Sequence, residues 1–314
     1  MTVFNGILPA LVTPFDREGR FDACAFDQLL EHVYAADVHG IYVNGSTGEG
    51  LLQSAAQRKQ VAEVAIANSP PGKQVIIHVG AASTADAIEL ARHAAHAGAH
   101  AISSLLPPGS YSFDEIKAYY ETLAAASGVP LLVYHFPAIN ASIISAAQLL
   151  ELCRIPGVVG LKFTDYDLFT LATVKASGAI VFNGYDQVLV AGLLMGADGG
   201  IGTIYNLVPE LFVQIYELSQ GGRWAEARRV QERINELIRI IVRYPVFPAT
   251  KAILSWAGID CGHCLPPRRS LTATEETQLR DELATSSFAE RLLAGEKRRG
   301  EAAHTIGASS DWDV

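Results

Sequence analysis

The chain has 314 residues, 49% of them apolar and 18% charged, with 24 basic against 33 acidic side chains and a formal net charge of −9. Too much of it is apolar for a disordered polypeptide, and the acidic balance, with a pI near 5.5, argues against nucleic acid as a partner. No run of about 18 uncharged apolar residues is present, so no membrane span is expected, and Pro9 and Pro14 break up an N-terminus that lacks the basic start of a signal peptide.

Short, β-rich apolar runs recur over the first two-thirds of the chain, at 7–12, 41–44, 75–79, 101–105, 131–135, 158–162, 180–183 and 199–203, each followed by an Ala/Leu-rich segment. Their starts lie about 20 to 35 residues apart, the size of one strand plus one crossover helix. Strands this continuously apolar are buried on both faces, as in parallel sheets. Between them, a helix over 22–36 opens with an acidic first turn, one over 87–97 follows Ser83-Thr84-Ala85-Asp86 and stops at Gly98, and one over 116–126 sits behind a capping box, Ser112 to Glu115. From Pro209 onward the pattern is nearly all helical, with a long amphipathic stretch at 223–243. The expected fold is therefore an α/β (β/α)8 TIM barrel. Residues 1–205 supply its strands and helices, 206–295 the last barrel helix and a C-terminal helical cap of the same domain, and 296–314 a disordered tail.

In such barrels the site is built at the C-terminal ends of the strands. The second run ends in Asn44-Gly45-Ser46-Thr47-Gly48-Glu49-Gly50. Its glycines let backbone N–H groups approach a ligand and its hydroxyls add donors, a pattern suited to a carboxylate or to a helix-capping turn. The fifth run ends in Tyr134-His135-Phe136-Pro137 and the sixth in Lys162-Phe163-Thr164. Of seven lysines only Lys162 closes an apolar run, Val158-Val159-Gly160-Leu161, whereas the other six stand in polar or helix-like surroundings. A lysine at the end of an interior strand is partly desolvated, which favours the neutral amine, and a neutral amine attacks ketones to form a Schiff base. Tyr134, one strand away, is placed for proton transfer. The seventh run leads into Gly184-Tyr185-Asp186-Gln187 and the eighth is Gly199-Gly200-Ile201-Gly202-Thr203. Asp186 and Gln187 offer an acceptor and an amide to substrate hydroxyls, and Asp186 would repel a phosphate.

Four cysteines are too few for a disulfide framework. Cys261-Gly-His-Cys264 has the spacing of a redox dithiol but follows a helix-like stretch and precedes Pro266-Pro267, so it is read as a reduced loop pair. His93, His96 and His100 share a helical face in an outer helix and are read as a polar stripe, while His78 and His135 approach strand termini close to the pocket.

The set Gly45-Ser-Thr-Gly-Glu49, Tyr134-x-x-Pro137, Gly160-Leu-Lys162-x-Thr164 and Gly199-Gly-Ile-Gly202, with the opening Pro9 to Phe15 segment, resembles the dihydrodipicolinate synthase / N-acetylneuraminate lyase family. The resemblance implies a cytoplasmic, tetrameric class I aldolase acting through pyruvate, with no metal or organic cofactor. It implies that Lys162 forms the imine and Tyr134 relays protons. It implies too that Ser46 and Thr47 hold the keto acid's carboxylate, and that Thr164, Gly184, Asp186, Gln187, Gly202 and Thr203 line the substrate pocket. The synthase branch carries an arginine where Ile139 stands and a tyrosine pair absent from 105–111. The lyase branch fits better through Asn183-Gly-Tyr-Asp186 and Gly200-Ile-Gly-Thr-x-Tyr-Asn206, although Gln187 replaces its glutamate and Thr203 its serine. The expected reaction is reversible cleavage of N-acetylneuraminate or a similar 2-keto sugar acid to pyruvate and an aldehyde. The alternatives are another pyruvate aldolase of the family, or a barrel that binds keto acids without turnover.

Overall fold

In the computed structural model of the chain, residues 4–294 are described; the tail expected at 296–314 lies outside them. Eight strands among these residues form one parallel sheet: β1 (Gly6–Pro9), β2 (Gly40–Val43), β3 (Gln74–His78), β4 (Ala101–Ser104), β5 (Leu131–His135), β6 (Val158–Phe163), β7 (Ile180–Asn183) and β8 (Gly199–Gly202). Their order is β1-β8-β7-β6-β5-β4-β3-β2. The two edges meet through a bridge between Ala10 and Tyr42 and a 2.9 Å hydrogen bond from Leu11 N to Tyr42 O, which closes the (β/α)8 barrel.

Helices α1 (Ala23–Tyr34), α2 (Ala55–Ala67), α3 (Thr84–Ala97), α4 (Phe113–Ser127), α5 (Ala146–Leu152), α6 (Leu168–Lys175), α7 (Leu189–Leu194) and α8 (Pro209–Gln220) surround the strands. Then α9 (Trp224–Ile241), α10 (Val246–Ala257), α11 (Ala273–Ala284) and α12 (Ala289–Leu292) follow. The capping box at Ser112 and Glu115 forms, and Gly98 and Gly128 close α3 and α4 in left-handed conformations. At α1 the acid serves differently from the expectation: Asp22 is the N-cap, accepting from Ala25 N, and the first turn itself holds no acidic residue.

Apolar residues divide into two cores. One fills the layer between strands and helices. The other fills the lumen with Leu8, Tyr42, Ile76, Leu132, Tyr134, Phe182 and Ile201. Membership of the lumen is decided by strand parity, and at β6 the parity is reset. Leu131 pairs with Val158 but Leu132 pairs with Gly160, so Val159 is an extra residue in the ladder. Val158 faces the helix layer; uninterrupted alternation would have sent Lys162 the same way. The bulge turns Lys162 inward, opposite Tyr134.

The mouth of the barrel is tied by Asn206, which is fully buried. Its side chain accepts from Val12 N at 3.2 Å and donates to Ala10 O and Thr203 O, both at 2.7 Å. Replacing it by leucine strands a buried donor and a buried acceptor, so Asn206→Leu is expected to cost about 2–5 kcal/mol in urea unfolding. A loss below about 0.5 kcal/mol would contradict this role.

Candidate active site

Lys162 is 4% exposed. Its Nζ lies 4.1 Å from the ring centroids of both Tyr42 and Tyr134, held between two aromatic faces. Among the described residues no carboxylate forms an ion pair with it. Burial is the main influence and pushes the amine down to about 7, with the negative field of Asp186 pulling in the other direction. Near neutral pH a large fraction of Lys162 is therefore an unprotonated amine.

Tyr134 is also buried, and burial pushes its hydroxyl up to about 12, although the neighbouring Ser46 and Thr164 hydroxyls hold it lower than burial alone would. Thr164 Oγ1 nonetheless completes no hydrogen bond of good geometry and stays buried without a full partner. The short approach of β7 to this point requires Gly184, because a Cβ there would stand 2.0 Å from Thr164 Oγ1.

Ser46 is half-buried and Thr47 buried on the loop after β2, and Thr47 Oγ1 meets Thr203 Oγ1 at 2.7 Å across the mouth. Asp186 is buried under Gly202, whose missing side chain makes room for Oδ1. Its Oδ2 accepts from Ile204 N at 2.7 Å, and burial raises its pKa to about 6. Gln187 donates its amide to Tyr166 Oη at 2.5 Å. The turn carrying Asp186 and Gln187 is held from outside by α9: Gln231 donates to Asp186 O at 3.0 Å and Asn235 to Gln187 O at 3.1 Å. The long amphipathic helix thus positions the loop that follows β7.

The structure therefore brings Lys162, Tyr134, Ser46, Thr47, Thr164, Gly184, Asp186, Gln187, Gly202 and Thr203 to one end of the barrel. Two expectations change, at His135 and at His100, while Lys251 and His78 stand where the sequence placed them but in structural roles. Lys251, in helix α10, is 2% exposed and pairs with Glu49, Nζ to Oε1, at 2.9 Å. His135 stacks on Phe163 toward the helix layer, away from Lys162, because it alternates with Tyr134. His78 lies beside the lumen but is spent on structure, bonding Asn44 O through Nδ1 and accepting Leu105 N at Nε2, and burial holds it neutral. The expected stripe of three histidines is not formed: His93 and His96 lie in α3, where His93 pairs with Glu63, but His100 falls beyond the Gly98 cap that ends the helix and accepts from Val75 N.

Sequence reading missed Tyr42, the second ring over the amine, and an aromatic path outward from Tyr134 through Phe136 and Tyr185 to Tyr166. β2, Gly-Ile-Tyr-Val, is buried throughout, so nothing in its sequence marks Tyr42 as the inward residue. A cavity of about 560 Å³ lies away from Lys162, lined by Phe15, Lys251, Trp256, His263 and Cys264 among others. Its lysine is held in an ion pair and burial raises the Cys264 thiol to about 12. Burial pushes the Cys261 thiol likewise to about 12, which favours the protonated thiol in both members of the pair.

A closed (β/α)8 barrel with a desolvated strand-end lysine and a hydroxyl-lined mouth is the setting in which the comparisons with known proteins fall. The chain belongs to the dihydrodipicolinate synthetase family, which it matches over residues 3–286. It is 39% identical over 279 residues to the N-acetylneuraminate lyase of Rhizobium meliloti, covering 88% of this chain and 92% of that one. Among solved structures, CdNal from Clostridium difficile in complex with mannosamine superposes with a TM-score of 0.87 at 29% identity, covering 91% of this chain and 100% of that one. The N-acetylneuraminate lyase of Fusobacterium nucleatum complexed with pyruvate gives 0.84 at 28% identity, covering 90% and 97%.

The depressed lysine makes a stability prediction. Its folded value, about 7, lies below the 10.5 of an ordinary lysine. The folded chain therefore binds fewer protons than the unfolded chain between those values, and stability rises as pH climbs through that window. Below about 7 the cost of burying the amine is fully present. Lys162→Met is thus expected to be more stable than wild type by a few kcal/mol at pH 6, with the advantage shrinking towards pH 10. Thermal unfolding across this range checks it; a difference independent of pH contradicts it.

Proposed function

We propose that this protein is a Schiff-base aldolase that reversibly cleaves N-acetylneuraminate, or a similar 2-keto sugar acid, to pyruvate and an aldehyde, N-acetylmannosamine in the case of sialic acid. One observation carries the reading: a lysine amine brought near neutrality by burial, 4.1 Å from the ring of Tyr134, at a barrel mouth lined with hydroxyls. The pyruvate and mannosamine complexes of the two structural relatives support it.

Ser46 and Thr47 receive the carboxylate of the keto acid. Lys162 Nζ attacks the C2 carbonyl, and loss of water leaves a protonated imine. As Tyr134 takes the proton of the C4 hydroxyl, the C3–C4 bond breaks. Its electrons pass into the imine to give an enamine, and the aldehyde departs. Protonation at C3 and addition of water return pyruvate and the free amine. A tyrosine raised to about 12 stays protonated. It therefore works as a relay: as it accepts the substrate's proton it passes its own through a neighbouring hydroxyl to the keto acid's carboxylate, and the same path returns that proton to C3 of the enamine. Asp186, Gln187 and Thr203 face the aldehyde portion, with Thr164, Gly184 and Gly202 shaping the wall. The reaction calls on no metal or organic cofactor.

We read the barrel and its helical cap as one domain, and the protein as a cytoplasmic homotetramer, from the family resemblance. Among the described residues no helix is long and apolar enough to cross a membrane. A second reading, an aldolase for a different 2-keto-3-deoxy sugar acid, is favoured by Gln187, which stands where a carboxylate would grip a polyol chain and commits its amide to Tyr166.

Borohydride reduction in the presence of pyruvate should attach one reduced pyruvate to Lys162, with no adduct in Lys162→Ala. Absence of the adduct from wild type, or its persistence in the variant, overturns the imine. Steady-state cleavage rates on N-acetylneuraminate and a panel of shorter keto sugar acids separate the two readings. Catalytic efficiency at least about tenfold higher on sialic acid favours the first, and the reverse order favours the second.

A further inference from the structure

We propose that Glu49 and Lys251 are positioning residues that hold the carboxylate cradle in shape from behind, a role that rests on the reading of Ser46 and Thr47 as that cradle. The loop 44–50 begins and ends in left-handed backbone: Asn44 has φ 61° and Glu49 φ 57°, neither at a glycine. Such residues cost of order 1–3 kcal/mol each and persist only where their surroundings fix them. At Asn44 the fixing groups are visible, since its side chain donates to Arg58 O at 2.9 Å and its carbonyl meets His78 Nδ1 at 3.1 Å.

At Glu49 they come from the opposite end of the sequence. Glu49 Oε2 accepts from Leu265 N at 2.8 Å, 216 residues away, and Oε1 lies 2.9 Å from Lys251 Nζ. Lys251 in turn donates to His263 O at 2.7 Å and lies 4.4 Å over the ring of Phe15. The glutamate and lysine side chains are 0% and 2% exposed. Oε2 is taken by the Leu265 amide and Oε1 is in ion-pair contact with Lys251, although without a hydrogen bond of good geometry, so the carboxylate of Glu49, two residues from Thr47, is occupied by the protein itself.

Between the two anchors the loop has little freedom. Gly48 O accepts from Thr13 Oγ1 at 2.9 Å and Gln53 Nε2 at 2.7 Å, and a Cβ on Gly50 would stand 1.9 Å from Asn44 O. The remaining side chains, Ser46 and Thr47, are left to face the mouth. A pair this deeply buried adds little stability over apolar residues of the same volume, so its contribution lies in the geometry of the loop it holds, the support that a precise binding site needs behind its contacting groups.

The test compares Glu49→Gln, Lys251→Met and the double variant with wild type by pyruvate-dependent borohydride trapping, with thermal unfolding alongside. Misplacing the cradle should raise half-saturating pyruvate about tenfold or more in all three, while the limiting trapping rate at saturating pyruvate stays within about threefold. The double variant leaves no lone buried charge, so it keeps the measurement available if a single variant fails to fold, and Lys251→Arg should recover part of the loss. A folded double variant that saturates at the wild-type pyruvate concentration overturns the proposal. Thr47→Val tests the cradle itself. If it raises half-saturation and the double variant does not, only the positioning role falls; if Thr47→Val has no effect, the cradle reading falls first.

Discussion

An amine buried without a counter-ion is the constraint on which the rest of this site depends. Water normally stabilises an ammonium group. In the lumen Lys162 exchanges that solvation for two tyrosine faces and the distant field of a partly titrating Asp186, and its proton affinity drops to about 7. Cation–π attraction recovers part of the lost solvation, enough to keep a charged form accessible when an imine must be protonated. The same environment that costs stability at low pH supplies a nucleophile near neutrality.

The contrast with Lys251 shows how the fold uses one side-chain type in two ways. Both lysines are buried to a similar degree. Lys251 has a carboxylate at 2.9 Å and a backbone carbonyl at 2.7 Å, which makes it a fixed strut between the β2 loop and the segment after α10. Lys162 has neither, which leaves its lone pair for chemistry. The barrel closure, the bulge at Val159 and the glycines at 184 and 202 all serve to bring groups from different strands to the unpaired amine.

Much of this was legible in the sequence. All eight strands lie within a residue or a few of the apolar runs, because a barrel strand buried on both faces leaves an uninterrupted apolar signature. Lys162 was visible because it ends such a run. The same signature hides orientation: a strand apolar on both faces carries no alternation, so neither the inward placement of Tyr42 nor the outward one of His135 could be read, and the bulge that reverses Lys162 leaves no mark in Val158-Val159-Gly160. Lys251 was missed because its partner is over two hundred residues away, on the motif loop. Gln187 could be seen to differ from the lyase pattern, but its bond to Tyr166 depends on two loops meeting in space.

The central claim is the state of one amine, and nitrogen-15 NMR of lysine-labelled protein, with Lys162 assigned by comparison with Lys162→Met, measures it directly. The titration midpoint expected for Lys162 in the absence of substrate is close to 7. A midpoint near the 10.5 of an ordinary lysine would show that the lumen does not desolvate the amine, and would contradict the account.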